Sequence, residues 1–260
     1  MSNIHKTAII EDGAKIHESV TIGAFTIIGA KVTIDEGTTV SSHCLIEGDT
    51  TIGKNNKIFS HSVLGTIPQD LKFDGEETKL IIGNNNTIRE HTLVNTGTSG
   101  GGYITSMGDN CLLMGHVHLG HDCILQDNIV IANSTAVAGH VEIASNVVVG
   151  GMSAIHQFCN IGEGSMVGGG SILVQDIPPF CICEGNRATL RSLNINGLRR
   201  RFKDRSNIDE IKKAYKAIFD SSNPIKESAQ NIIDESSNEY AKQLANFVME
   251  TKRGIPFTRK

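Results

Sequence analysis

Residues 8–34, "AIIEDGAKIHESVTIGAFTIIGAKVTI", put a large aliphatic side chain at every sixth position: Ile10, Ile16, Ile22, Ile28 and Ile34. The series continues through Val40, Ile46, Ile52, Ile58 and Leu64, and reappears as Ile82, Ile88 and Val94. A longer run goes from Met107 through Leu113, Leu119, Leu125, Ile131, Val137, Ile143, Val149, Ile155, Ile161 and Val167 to Leu173. A period of six is neither the helical 3.6 nor the plain alternation of a strand. Two positions ahead of each aliphatic lies a mostly small residue, such as Ala14, Thr26, Thr38 or Cys44, and later Cys123, Thr135 or Ser153. One large and one small inward residue per six predict a short strand plus a corner, wound into a narrow solenoid. Glycine often follows the aliphatic, as at Gly23, Gly29, Gly53, Gly150, Gly162 and Gly168. It is expected there to supply unusual backbone angles at the corner.

This hexad pattern resembles the left-handed parallel β-helix, in which three hexads close one triangular coil of about eighteen residues. The fold class expected is mainly β, with the β-helix over 1–186 and an α-helical domain over 187–260. Two stretches interrupt the period and are expected as external loops: "GTIPQDLKFDGEETK" at 65–79 and the glycine-rich "NTGTSGGGYITS" at 95–106. The second lacks the Lys-Ser/Thr and the helix start of a phosphate-binding P-loop. In the tail, apolar residues at helical spacing predict a helix over 207–220 with Asn207 as its N-cap, a second opened by Pro224, and a third over 239–251.

The phase assigns the thiols. Cys44, Cys111, Cys123 and Cys159 take the small inward slot, so they read as buried packing residues, and Cys181 with Cys183 lies beyond the repeat. Charge is uneven: residues 1–186 hold 8 Lys/Arg against 19 Asp/Glu, and residues 187–260 hold 16 against 9. A basic end on an acidic body is either a solvated helical tail or a surface for an acidic partner. No run of eighteen apolar residues and no signal-peptide layout is present in the sequence, so a cytoplasmic protein without an integral membrane segment is expected.

Five of the ten histidines fall within "GHVHLGHDC" (115–123), "AGHVEI" and "AIHQFC", and none takes an inward slot. One coil on from His121 is Gly139, and one coil back from His140 is Asp122. These four are therefore expected as neighbours on two adjacent coils. Three readings stay open at this point: a hydrated surface cluster, a groove between copies of the chain, or a metal site. His116, His118 and His121 occupy different phases and cannot converge on one ion from a single strand.

The motifs "GHVHLGHDC", "NSTAVAGHVEI", "GGMSAIHQFCNIG", "MVGGGSILVQDIPP", "QDLKF" and "NINGLRRRF" together resemble the UDP-N-acetylglucosamine 3-O-acyltransferases, nearly end to end. The resemblance implies a homotrimer with sites between subunits. It also implies an (R)-3-hydroxyacyl donor on acyl carrier protein, a UDP-sugar acceptor, and no metal, cofactor or nucleic acid. His121 matches the general base, Asp122 its orienting partner, and Gly139 the backbone donor to the oxyanion. Asp70, Lys72, His118, His140, His156, Gln157, Asn194, Arg200 and Arg201 match substrate-binding residues; Gly169 and Arg187 match the acyl groove. The chain departs from the family pattern at Asn196, where relatives carry Glu, and at Arg187, where they often carry His. By the same resemblance the basic tail faces the carrier protein. The rival activities are another hexapeptide acyltransferase, such as the later N-acyltransferase of lipid A synthesis, and a metal-dependent β-helix carbonic anhydrase.

Overall fold

The computed structural model describes residues 3–220 and 222–257. Two-residue strands alternate with tight corners, and successive strands fall in turn on three parallel sheets. The first face runs from Ile9–Ile10 to Ile172–Leu173, the second from Lys15–Ile16 to Asn160–Ile161, and the third from Thr21–Ile22 to Cys181–Glu184. An antiparallel strand, Thr189–Leu193, closes the third face, so the sheet continues past residue 186. Register confirms the coil length: Ile9 pairs with Ile27 and Leu112 with Val130, eighteen residues apart.

The six-residue series forms the core. From Ile22 onward every member of it is buried, whereas Ile10 and Ile16, in the opening coil, are only partly covered. From Val20 onward the small slot is buried too, and its hydroxyls bond to the backbone: Thr26 Oγ1 donates to the Ser41 carbonyl at 2.7 Å and Thr38 Oγ1 to Gly53 at 2.8 Å. All six cysteines are buried. Burial pushes the thiols of Cys111 and Cys159 up to about 11 and those of Cys123 and Cys183 up to about 12. Ile131 is wholly enclosed. Ile131→Ala is expected to cost roughly 2–5 kcal/mol, read as a lower urea midpoint.

The glycines that follow the aliphatics correct the expectation about angles. Gly23, Gly29, Gly53, Gly150, Gly162 and Gly168 all lie outside the left-handed region. They are needed for space: a Cβ on Gly23 would stand 2.6 Å from the Ser42 nitrogen of the next coil. At every one of these corners but that of Gly29 the left-handed angle falls two residues further on, and there the chain often uses other residues. Phe25, His43, His61, His91, His116, Asp122 and His140 all have φ between 58° and 65°. Asn, Asp and His tolerate that region better than most side chains. Backbone geometry thus accounts for five of the ten histidines. Along the corner between the third and first faces, the rings of Phe25, His43, His61, His91 and His116 stack at 4.7–5.1 Å. His116 therefore stands at a different corner from His121.

Both interruptions leave and re-enter the coil in phase. Asp49 pairs with Lys79, thirty residues on, and Lys79 with Ile104, twenty-five on. Against a coil of eighteen, the excursions add twelve and seven residues. They are narrower than the sequence implied, because strands Val63–Thr66, Lys79–Ile82, Leu93–Asn95 and Ile104–Met107 bound them.

Four helices follow: α1 Ile195–Arg201, α2 Arg205–Phe219, α3 Ile225–Glu235 and α4 Glu239–Glu250. The expected N-cap of α2 is corrected. Asp204 caps it by accepting the Ser206 N–H at 2.9 Å, and Asn207 lies inside the helix, accepting from Asn238 Nδ2 at 2.8 Å. The tail is fastened to the last coils by the buried Asp176 carboxylate. Its Oδ1 accepts from Asn160 N at 2.8 Å, and its Oδ2 from Thr251 Oγ1 at 2.6 Å and from Lys252 and Arg253 N at 3.1 Å. Among the described residues no helix is long and apolar enough to cross a membrane.

Candidate active site

The corner between the first and second faces carries Asp122, His140 and Phe158 on three successive coils. His140 N donates to the His121 carbonyl at 2.9 Å and Phe158 N to the Gly139 carbonyl at 3.2 Å, so backbone pairing alone stacks these rungs. His121 Nδ1 lies 2.8 Å from Asp122 Oδ2. His140 Nε2 is 3.7 Å from the same oxygen. The two imidazoles meet edge to face at 4.9 Å, and His140 stacks on Phe158 at 4.4 Å. The four residues expected to be neighbours are neighbours.

An ionised carboxylate only accepts, so the His121 proton sits on Nδ1 and the lone pair on Nε2. The His121 ring lies directly over Gly139, where a Cβ would stand 2.5 Å from Cε1 and Nε2. Gly139 is buried, and among the described residues nothing accepts its N–H.

Thr98 in the second excursion and Asn95, the last residue of the strand that leads into it, complete the site, and the sequence did not single them out. Thr98 donates to Asp122 twice, through its N–H to Oδ1 at 2.7 Å and through its hydroxyl to Oδ2 at 2.5 Å. Asn95 donates from Nδ2 to the Ile67 carbonyl at 2.8 Å and so turns Oδ1 toward His118 Nε2, at 3.0 Å. His118 must then carry its proton on Nε2. Burial depresses its basicity, with His121 adding to the effect, and burial does the same for His140. Both are therefore biased toward the neutral form. Glu76, from the first excursion, accepts the Ser99 N–H at 2.9 Å, and that bond leads the lowering of its carboxyl to about 2.

The remaining expected residues are more dispersed. Asp70 and Lys72 lie on the first excursion, where Asp70 Oδ1 accepts the Lys72 N–H at 3.0 Å, and both are near enough to His140 to act on its charge. His156 and Gln157 are exposed on the coil beyond His140, with His156 Nδ1 3.1 Å from the Gln157 carbonyl oxygen. Gly169 is at an exposed corner, and Arg187 is exposed beside Ile172. Asn194 caps α1, accepting from Gly197 N at 3.0 Å and donating to the Gly164 carbonyl at 3.1 Å. Arg200 is exposed, whereas Arg201 pairs with Glu163 and leans on the Phe202 ring at 5.2 Å.

One trio among the described residues, His121, Asp122 and His140, brings metal-ligand atoms together, all within 4.8 Å. Zinc would want three or four ligands at about 2.0–2.2 Å. Both Asp122 oxygens are already engaged by Thr98 and His121, so the trio is built as a hydrogen-bonded chain.

Residues 176–256 match a family model described as UDP N-acetylglucosamine O-acyltransferase, domain 2, and residues 13–48 match the six-repeat bacterial transferase hexapeptide model. The chain is 59% identical, over all of both chains, to the acyl-[acyl-carrier-protein]--UDP-N-acetylglucosamine O-acyltransferase of Aliarcobacter butzleri. It is 57% identical, again over all of both chains, to that of a Sulfurovum species. The solved UDP-N-acetylglucosamine acyltransferase from Campylobacter jejuni superposes with a TM-score of 0.94 at 42% identity, covering 98% of this chain and 100% of that one. The shared fold is a left-handed parallel β-helix with a helical C-terminal part.

Proposed function

The chain belongs to the UDP-N-acetylglucosamine O-acyltransferases, and from that membership we propose that it moves an (R)-3-hydroxyacyl group from acyl carrier protein to the 3-position of UDP-N-acetylglucosamine, or of its 3-amino analogue. This is the first step of lipid A biosynthesis. The observation that carries the chemistry is the alignment of His121, its lone pair on Nε2, with the unpaired Gly139 N–H one coil away.

His121 Nε2 takes the proton of the sugar 3-hydroxyl while that oxygen attacks the thioester carbonyl carbon. Charge moves onto the carbonyl oxygen, where the Gly139 N–H is placed to receive it. Collapse of the adduct breaks the C–S bond, and the departing thiolate takes the proton back from His121. Asp122 holds the imidazole orientation and stabilises its transient positive charge. Transfer is direct. The buried thiols offer no acyl-cysteine route, since burial holds Cys123, next to Asp122, in its neutral form.

His118, His140, His156 and Gln157, with Asp70 and Lys72, are assigned to binding the sugar nucleotide. Asn194, Arg200 and Arg201 are assigned to the nucleotide and its phosphates, with Arg200 the more available of the two guanidinium groups. The basic stretch Arg199–Arg201 with Lys203 and Arg205 suits an acidic carrier protein. Gly169 and Arg187 are assigned to the acyl groove.

Assembly as a homotrimer is supported by the outer surface. The first face points Ile9, Ile27, Leu45, Val63, Leu93 and Ile172 outward, and the C-terminal half of the third exposes Val148 and Met166. The second face is more mixed: it carries Lys15, Thr33, Thr51, Glu142 and Asn160 beside the exposed Ile81 and Ile124. A triangular prism that buries two of its three faces against copies of itself makes a closed ring of three. A cytoplasmic location fits a substrate delivered by acyl carrier protein.

The test is product mass spectrometry with carrier-bound 3-hydroxyacyl chains of several lengths and the two UDP-sugars. An O- or N-acylated UDP-sugar is expected, and it disappears when free fatty acid replaces the thioester. No product from any pair would sink the reading.

A further inference from the structure

Two histidines compete for one carboxylate oxygen at this site. Asp122 Oδ2 lies 2.8 Å from His121 Nδ1 and 3.7 Å from His140 Nε2. Rotation about the Asp122 side chain would move that oxygen from one ring toward the other. The His121 proton would then no longer be held on Nδ1.

Thr98 prevents this rotation. Its N–H takes Oδ1 and its hydroxyl takes Oδ2, so both oxygens are held by one residue. The Asp122 backbone is pinned as well, since its N–H donates to Thr105 Oγ1 at 2.8 Å. Thr98 is itself held. Its carbonyl accepts from Gly101 N at 3.1 Å and Tyr103 N at 2.9 Å, and the next residue is tied to Glu76. Gly101 lies against the Asp122 carboxylate with no room for a Cβ. Asp122 and Thr98 are both buried, so water cannot replace the hydroxyl freely. A short O–H to carboxylate bond in such a place is among the stronger kinds.

We propose that Thr98 is a positioning residue for acyl transfer: it decides that Asp122 serves His121 and not His140. The inference rests on the reading of His121 as general base. It adds a requirement that reading lacks, since a site holding only the two histidines and the aspartate would leave the base unassigned. Thr98 acts on the reaction through Asp122.

The test compares Thr98→Val, which keeps the shape and the N–H but loses the hydroxyl, with Thr98→Ser, which keeps the hydroxyl. For Thr98→Val, kcat is expected to fall about tenfold or more, with both KM values unchanged within about twofold. Thr98→Ser is expected to recover to within about threefold of the parent. The acid side of the kcat/KM profile should also move in Thr98→Val and stay in place in Thr98→Ser. A crystal structure of Thr98→Val should show the carboxylate turned toward His140 and drawn away from His121. An unrotated carboxylate in that crystal overturns the proposal, whatever the activity. A rotated carboxylate with normal turnover would show that Thr98 orients Asp122 but would overturn its part in acyl transfer, and would remove His121 as the base. Thr98→Ser as impaired as Thr98→Val would also overturn it, because the hydroxyl would then not be the feature that matters.

Discussion

His121→Ala is expected to lower kcat by about 10²–10⁴-fold, with the affinity for UDP-sugar little changed. The reasoning is local. His121 Nε2 is the nitrogen left free by the bond to Asp122, and the other imidazoles near it are aimed elsewhere. His118 is turned by Asn95, and His140 is stacked flat on Phe158. Neither can take over proton transfer without rearrangement. Alanine removes little bulk from the core, because the ring lies outside the inward slots. Steady-state kinetics with a parallel binding isotherm decide the matter, and near-normal turnover would exclude His121 as the base.

The second large effect is expected from Gly139→Ala. The backbone there lies outside the left-handed region, so alanine brings no torsional strain of its own. Its Cβ would instead stand 2.5 Å from Cε1 and Nε2 of His121. The ring must swing away, or the coil must shift and carry the N–H with it. Either way the base and the oxyanion donor lose their alignment, and misplacement on the ångström scale costs about 10²-fold in rate. We expect kcat to fall by about that factor, while the thermal midpoint changes far less than for Ile131→Ala. Unchanged kcat would mean that the Gly139 N–H and the His121 ring do not act together.

The period of six made the solenoid readable because each inward position has one geometric job. It also fixed the outward residues, so His121, Asp122, Gly139 and His140 could be placed side by side from spacing alone. The glycine reading failed for a physical reason. Position after the aliphatic reports how closely the next coil approaches, and the left-handed corner lies two residues later, where His or Asn serves. Helix α1 escaped notice because it is seven residues long, contains Gly197 and ends in three arginines that read as charge. Asp204 was passed over as a cap because Asn207, three residues on, offers the same chemistry. Thr98 and Asn95 were invisible for a different reason. They reach Asp122 and His118 across gaps of 24 and 23 residues, from inside an excursion without a repeat and from its threshold. No periodicity can assign a partner to such a residue.

The in-phase return of the chain after its two excursions has a consequence for how this architecture changes. Side chains in these short strands alternate in and out, so a splice that came back one residue out of step would drive His118 into the interior and expel Leu119. A graft that respects the rejoining point leaves every later rung facing as before. Outside Thr98 the rim can thus be rewritten or lengthened as a detachable part, while the catalytic address stays with the steps of the staircase that carry His121 and Gly139.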